Sequence, residues 1–311
     1  MPTESWSCAI SAGSAPSAAA SAAADRAAVE AAIDTVRQRD LIRLPATISE
    51  AIRYSLGGGG KRLRGMLLLS AYHAAGGRAD ASALAAAIEI IHAYSLVHDD
   101  LPCMDDDDMR RGRRSAHREF GVPEATAAGA AMIPLAAMVA HRAGRDLRLP
   151  GHDCCTIVKV LMQSAGAGGM IGGQLLDLEG EGKAHSREEL DAIHSAKTGA
   201  LIAASVQIGG VAAGASRDRL ASLERFGTCI GLAFQIMDDV LDVTSSTDKL
   251  GKIAGRDREL GKSTYPDLLG VDGAIAEAGA LVADGCAALR DNELLTPGLA
   301  SLASFIVSRS H

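Results

Sequence analysis

Residues 98–112 read "HDDLPCMDDDDMRRG", six aspartates and two arginines within fifteen residues, interrupted by Leu101, Pro102, Cys103 and Met104. The stretch closes an apolar run, "AAIEIIHAYSLVHDD", whose spacing is that of a helix. On a regular helix Asp105 would lie about 240° from Asp99, facing away. Proline breaks that regularity by removing a donor and clashing with the preceding turn. A local bulge of two residues would bring Asp105 back beside Asp99, and His92, Ser95 and Asp99 form one stripe at i, i+3 and i+7. A solvated acidic loop is the simpler reading, and it is the one taken for Asp106, Asp107 and Asp108.

A second acidic cluster, "FQIMDDVLD", spans residues 234–242. Asp238, Asp239 and Asp242 fall at about 0°, 100° and 40° around a helix whose other positions are apolar. Three acids on such a surface repel one another unless a cation sits among them or water covers the face. Hard oxygen ligands suit Mg²⁺, which keeps several waters and takes carboxylates together with phosphate oxygens. Arg110 and Arg111 either neutralise the first cluster or, if the acids hold a metal, meet phosphate oxygens as guanidinium groups do well.

Further cations stand where phosphate could be met. "GGGGKRLRG" at 57–65 sets Lys61, Arg62 and Arg64 after a glycine run, without the GxxxxGK[ST] spacing of a P-loop. "SAKTGALI" at 195–202 puts Lys197 and Thr198 in a small-residue helix, where a buried lysine needs an anionic partner. Lys252 and Lys262 lie in a polar loop. Each alone reads as a surface cation; together with two acid triads they point to an anion-binding site.

Across the 311 residues, hydrophobic types make up 48% but aromatics only 3%, with much alanine. Alanine and leucine favour helix, and the types that favour strands are scarce, so an all-α fold is expected. Helical spacing predicts helices over 27–40, 46–55, 62–76, 80–100, 123–144, 152–178, 187–210, 216–244, 265–290 and 296–308. They are separated by "GGGG", "GG", "LPG" and "TSSTDKLGKIAGRDRELGK". One helical domain over 27–311 is expected, after a disordered Ser/Ala-rich tail over 1–26. A formal charge of −7 argues against a nucleic-acid surface. Six cysteines without CxxC pairing read as cytosolic thiols, and with no run of about 18 apolar uncharged residues and no basic leader, a cytoplasmic protein without a transmembrane segment is expected.

Taken in order, "GGGGKRLRG", "IHAYSLVHDDLPCMDDDDMRRG", "GGQLLDLEGE", "SAKTGALI", "FQIMDDVLDV" and "LGKIAGRDRELGKSTYPDLLG" resemble the motifs of trans-isoprenyl diphosphate synthases, of the bacterial short-chain farnesyl and geranylgeranyl type. The resemblance runs from about residue 46 to the end. It implies the all-α isoprenoid synthase fold, a helical bundle around a deep central cavity, usually homodimeric. It implies that Asp99, Asp100, Asp105, Asp238, Asp239 and Asp242 hold Mg²⁺, three ions, on an allylic diphosphate. Arg110, Lys197, Thr198, Gln235 and Lys252 would contact that substrate, with Lys197, Thr198 and Gln235 in the catalytic group. Lys61, Arg64, His92 and Arg111 would hold isopentenyl diphosphate. Tyr94, beside Ser95 and five residues before Asp99, resembles the bulky stop of farnesyl-type enzymes. Three departures stand out: Gly65 where the family has proline, Ala130 with Pro134 where it has "AGDALL", and "VTSS" at 243–246 for "VTGD".

Two other readings share parts of this pattern. A class I terpene cyclase has the fold and the metal-triggered ionisation, but does not need the isopentenyl set and pairs its acid motif with an NSE/DTE-type motif. A non-catalytic subunit of a heteromeric prenyl synthase often loses acid motifs, and both are kept here.

Overall fold

Thirteen uncharged residues, "ALIAASVQIGGVA", form a helix that is apolar but for Ser205 and Gln207, and it is buried on both sides. The computed structural model describes residues 18–244 and 262–308; Lys252, the polar breaker around it and the chain before residue 18 lie outside the described residues. In chain order the helices are α1 (Ala18–Arg39), α2 (Ala46–Leu56), α3 (Leu63–Ala74), α4 (Ser82–Asp99), α5 (Ala116–Phe120), α6 (Val122–Asp146), α7 (Gly151–Ala165), α8 (Met170–Glu179), α9 (Arg187–His194), α10 (Ala200–Ala212), α11 (Arg217–Thr244), α12 (Tyr265–Arg290) and α13 (Pro297–Ser308). Leu201, Ala204 and Ile208 of α10 join an apolar cluster with α1, α2, α4, α6 and α7. Ile202 and Val206 join a second cluster with α11, α12 and α13, and α3 contributes to both. The cleft described below opens between α4 and α11.

The all-α expectation holds, with local corrections. Helix α1 begins at Ala18 rather than 27, as its alanine-rich start carries little helix penalty. The helix expected over 152–178 is two, because Gly166 and Gly169 leave helical geometry between α7 and α8. Within 265–290, Gly270 takes a positive φ of 71° and interrupts α12. A two-stranded hairpin, β1 (Met109–Arg110) with β2 (Arg113–Arg114), was not anticipated. Its turn residues Arg111 and Gly112 have φ of 52° and 73°, the pair of positive angles that a two-residue type I′ turn demands.

Helices α9 and α10 are joined by a single π-helical turn, Ser195–Gly199, where one continuous α-helix was expected. π turns widen the backbone spiral and concentrate at functional sites. This one is wedged between two glycines. A Cβ on Gly173 of α8 would strike the backbone of Lys197, and one on Gly231 of α11 would stand 2.6 Å from the Cα of Gly199. Only bare backbone lets three segments approach so closely.

By length and composition, α6 and the α7–α8 stretch could cross a membrane, which the sequence reading did not foresee. In this fold α6 instead buries Ala128, Met132, Ala136 and Val139 in the first cluster, and Pro134 lies on its exposed side. Overpacking at backbone contacts costs about 1–3 kcal/mol. Gly231→Ala is therefore expected to lower the unfolding free energy by that amount, read as a fall in the urea midpoint at unchanged slope, and to separate the π turn from α11; an unchanged midpoint would show that the contact is slack.

Candidate active site

Helix α4 stops at Asp99, and residues 100–104 fold back so that the Asp105 N–H donates to the Asp99 carbonyl at 2.9 Å. The return of Asp105 is thus achieved by a turn rather than a bulged helix. Asp106, with φ of 47°, bends the chain onward. Asp99 and Asp105 line one wall of a cleft of about 340 Å³, and Asp238 and Asp239 of α11 line the facing wall. Arg64, His92, Ser95, Arg110, Lys197, Thr198, Gln235 and Lys262 also line it, so residues remote in sequence meet around one space.

The six expected metal ligands are not equivalent. Asp100 is 2% exposed and does not line the cleft. It accepts from Arg110 Nε at 2.9 Å and from Nη2, so it holds the arginine that projects from β1. Asp107 accepts from the same guanidinium at 2.9 Å and faces the cleft, unlike the solvated residue expected there. Asp106 and Asp108 pair with Arg118 at the exposed surface. Asp239 accepts from Gln235 Nε2 at 3.2 Å and from the Tyr265 N–H at 3.1 Å, with His194 Nε2 at 3.3 Å. Asp242 is buried beneath the wall.

Among the described residues, Asp99 Oδ1 and Asp242 Oδ1 are buried without a hydrogen-bond partner. A buried oxygen of this kind calls for a counterpart, and carboxylate oxygens fit a hard divalent cation. Among the described residues no three His, Cys, Asp or Glu side chains gather closely enough to hold an ion unaided. Remaining ligands would therefore come from phosphate and water, as Mg²⁺ prefers.

Opposite charge is supplied by residues held in place. Lys197 Nζ donates to Asp177 Oδ2 at 2.6 Å, and Lys262 Nζ to the same oxygen at 2.7 Å. Burial raises the Asp177 carboxyl, but the two ammonium groups outweigh it and hold it down at about 2. Burial opposes charge on Lys197, yet Asp177, Asp99 and Asp105 push it up to about 12. Thr198 Oγ1 donates to Gln235 Oε1 at 2.8 Å, which fixes the amide that in turn donates to Asp239.

Arg64 from the first turn of α3 and His92 of α4 line the same cleft, and Arg111 Nη2 lies 3.3 Å from His92 Nε2. Arg111 also donates to the Gly59 carbonyl. A Cβ on Gly60 (φ 137°) would stand 2.8 Å from its guanidinium, so the glycine run makes room for it. Burial first, then Arg64 and Arg111, keep His92 well below its ordinary value. Lys61 stands over the Phe305 ring at 5.1 Å and does not line the cleft.

Asp177, Gln174 and His194 had no role in the sequence reading. Gln174 and Asp177 stand three apart on α8, hence on one face, and Gln174 Nε2 donates to Asp105 Oδ1 at 3.3 Å. That spacing within "GGQLLDLEGE" was the available signal. Ser95 faces the cleft, one turn before Asp99, while Tyr94 is 5% exposed and lies over Gly129 of α6.

Because the folded pKa of Asp177 is depressed, its contribution is complete above the unfolded value near 3.8 and is lost as pH falls towards 2. Asp177→Asn is expected to lower the melting temperature by a constant amount between pH 5 and 9, roughly, with the gap closing below about pH 4. A gap that widens on acidification would contradict the pairing.

A family model described as polyprenyl synthetase matches residues 45–283. The chain is 43% identical over 268 residues to a farnesyl diphosphate synthase of Escherichia coli (strain K12), covering 85% of this chain and 89% of that one. It is 44% identical over 234 residues to a chloroplastic geranylgeranyl pyrophosphate synthase of Catharanthus roseus, covering 75% and 65%. Among solved structures, a geranyltransferase of Legionella pneumophila superposes with a TM-score of 0.81 at 30% identity, over 94% of this chain and 97% of that one. A geranyltransferase of Helicobacter pylori, complexed with magnesium and isoprenyl diphosphate, superposes with 0.79 at 29% identity, over 95% and 98%. The fold is the all-α isoprenoid synthase fold, and the chain belongs to the polyprenyl synthetase family as a short-chain trans-isoprenyl diphosphate synthase, a prenyltransferase.

Proposed function

We propose that the chain condenses isopentenyl diphosphate with dimethylallyl or geranyl diphosphate in a Mg²⁺-dependent reaction, giving farnesyl diphosphate (C15) in preference to geranylgeranyl diphosphate (C20). The observation that carries this reading is one cleft with two differently charged groups. Facing acids Asp99, Asp105 and Asp238 stand among Arg110 and Lys197, and the same cleft is lined by Arg64 and His92, with Arg111 just behind His92 at 3.3 Å. A cyclase has no use for the second group. Two subsites for two diphosphates, held at adjacent positions, supply the proximity that such a condensation needs.

In this reading Asp99, Asp105 and Asp238 are the direct metal ligands for three ions, with Asp242 behind them. Asp100 and Asp239 hold Arg110 and the α11–α12 corner instead. Magnesium bound with the substrate supplies Lewis-acid stabilisation of the charge that develops on the departing diphosphate. Arg110, Lys197 and the Thr198–Gln235 pair bind the same group with fixed donors, aimed before substrate arrives. Lys252 belongs to this set by resemblance alone. Arg64, His92 and Arg111 orient isopentenyl diphosphate so that its double bond attacks the allylic carbon as the C–O bond breaks, and Lys61 stands at the edge of that group. The departing diphosphate accepts the proton lost from the new allylic product. No side-chain base is required.

The chain works in the cytoplasm, in keeping with free thiols at Cys103, Cys154, Cys155, Cys229 and Cys286. It pairs as a homodimer through the outer face of α6, where Ala130, Pro134 and Met138 stand exposed at i, i+4 and i+8. The departures at Ala130 and Pro134 fall on that face, away from the acids.

Isopentenyl diphosphate is to be incubated with C5, C10 and C15 allylic primers, with and without Mg²⁺, and products sized by chromatography. Metal-dependent C15 from the C5 and C10 primers is expected, and Asp238→Asn should slow turnover on the order of a hundredfold. A hydrocarbon released from farnesyl diphosphate alone would favour a cyclase. Tyr94→Ala, which vacates space between α4 and α6, should lengthen the product; an unchanged profile would discard the size stop.

A further inference from the structure

Arg62, Arg64 and Arg111 converge with His92 around the start of α3. One carboxylate is buried among them. Glu89, 2% exposed, stands in an apolar stretch of α4 beside Ile88, Ile90 and Ile91, one turn before His92. Its Oε1 accepts from the Gly65 N–H at 2.9 Å, and its Oε2 lies 3.6 Å from Arg62 Nη1.

The Gly65 bond has a structural reason. The first N–H groups of a helix lack intrahelical acceptors, and an N-cap side chain with an oxygen usually meets one of them. The residue before α3 is Arg62, which has no acceptor and sits in a left-handed conformation at φ 52°. Glu89 supplies from α4 the acceptor that the local sequence lacks. Gly65 has an N–H to give, which a proline there would not. Its missing side chain also matters, since a Cβ would stand 3.0 Å from both Val29 methyls of α1. Arg62 is tied further to Glu30 at 2.8 and 3.1 Å and to the Leu56 carbonyl at 3.0 Å.

We propose that Glu89 is a positioning residue for the diphosphate subsite of Arg64, His92 and Arg111, capping α3 from a neighbouring helix and supplying the buried counter-charge that keeps these cations converged before substrate binds. This rests on assigning that subsite to isopentenyl diphosphate. Burial pulls the pKa of Arg64 down and Glu89 is the leading influence in the other direction; at Arg111 burial and Arg62 lower it while Glu89 again opposes them. Without the carboxylate, the three guanidinium groups of Arg62, Arg64 and Arg111 would share a poorly hydrated corner, and they would relieve the repulsion by swinging apart.

Glu89→Gln removes the charge while keeping an acceptor for the Gly65 N–H. Isopentenyl diphosphate binding is measured by calorimetry, together with KM for both substrates and the thermal melt. Kd and KM for isopentenyl diphosphate should rise about tenfold or more, with KM for the primer changed less than about twofold, the effect of losing a charged hydrogen-bond partner at one subsite. Equal shifts in both KM values, or none, would overturn the proposal. Should Glu89→Gln fail to fold, Glu30→Gln loosens Arg62 from its exposed side. It should raise KM for isopentenyl diphosphate alone, by about two- to threefold, and no change would overturn the proposal. Wild-type protein that fails to bind isopentenyl diphosphate overturns the subsite assignment along with it; wild-type binding that the variants retain in full overturns the role of Glu89 alone.

Discussion

Carboxylates gathered on two facing helix walls repel one another, and the arrangement of this cleft is a response to that repulsion. Two unit charges about 6 Å apart at an effective dielectric near 20 repel by about 3 kcal/mol. Asp100, which turns away from the cleft, is given Arg110 as its partner, and Asp239, on the cleft wall, is held by Gln235 and the Tyr265 amide. Asp177 gathers two lysines and thereby aims them at the same space. Among the described residues, Asp99 and Asp242 each keep a buried oxygen without a hydrogen-bond donor, a residual demand that in the proposed reading a cation carried in by a diphosphate would satisfy.

Rigid helices alone do not aim these groups. Three departures from regular backbone bring functional side chains to the cleft or to its edge. The turn after Asp99 returns Asp105, the type I′ hairpin divides Arg110 from Arg111, and the π turn presents Lys197 and Thr198. These irregular pieces are clamped by glycine contacts and by buried hydrogen bonds, so the donors are fixed in advance of binding, which is where preorganised electrostatics draws its effect.

Helices and acid clusters were legible because periodicity and charge are local properties. The convergence of the two acid clusters was legible only through the order of the motifs. What escaped reading depends on neighbours far along the chain. The pairing of Asp100 with Arg110 shows only once the hairpin folds back on it, and Glu89 looks like a stray acid in an apolar helix until α3 places Gly65 and Arg62 against it. The split of α7 from α8 was signalled by "GAGG" but overridden by the apolar run around it. The orientation of Ser95 into the cleft and Tyr94 towards α6 follows from 100° per residue, an angle available in the sequence all along.

The shared grip of both walls on one diphosphate is tested most directly by Mn²⁺ binding, followed by electron paramagnetic resonance with and without inorganic diphosphate. Mn²⁺ alone should bind weakly, since no three ligands are preassembled among the described residues. Diphosphate should make binding tight, and Asp105→Asn on one wall or Asp238→Asn on the other should each abolish that gain. Tight binding without diphosphate, or a gain that survives the loss of either wall, would refute it.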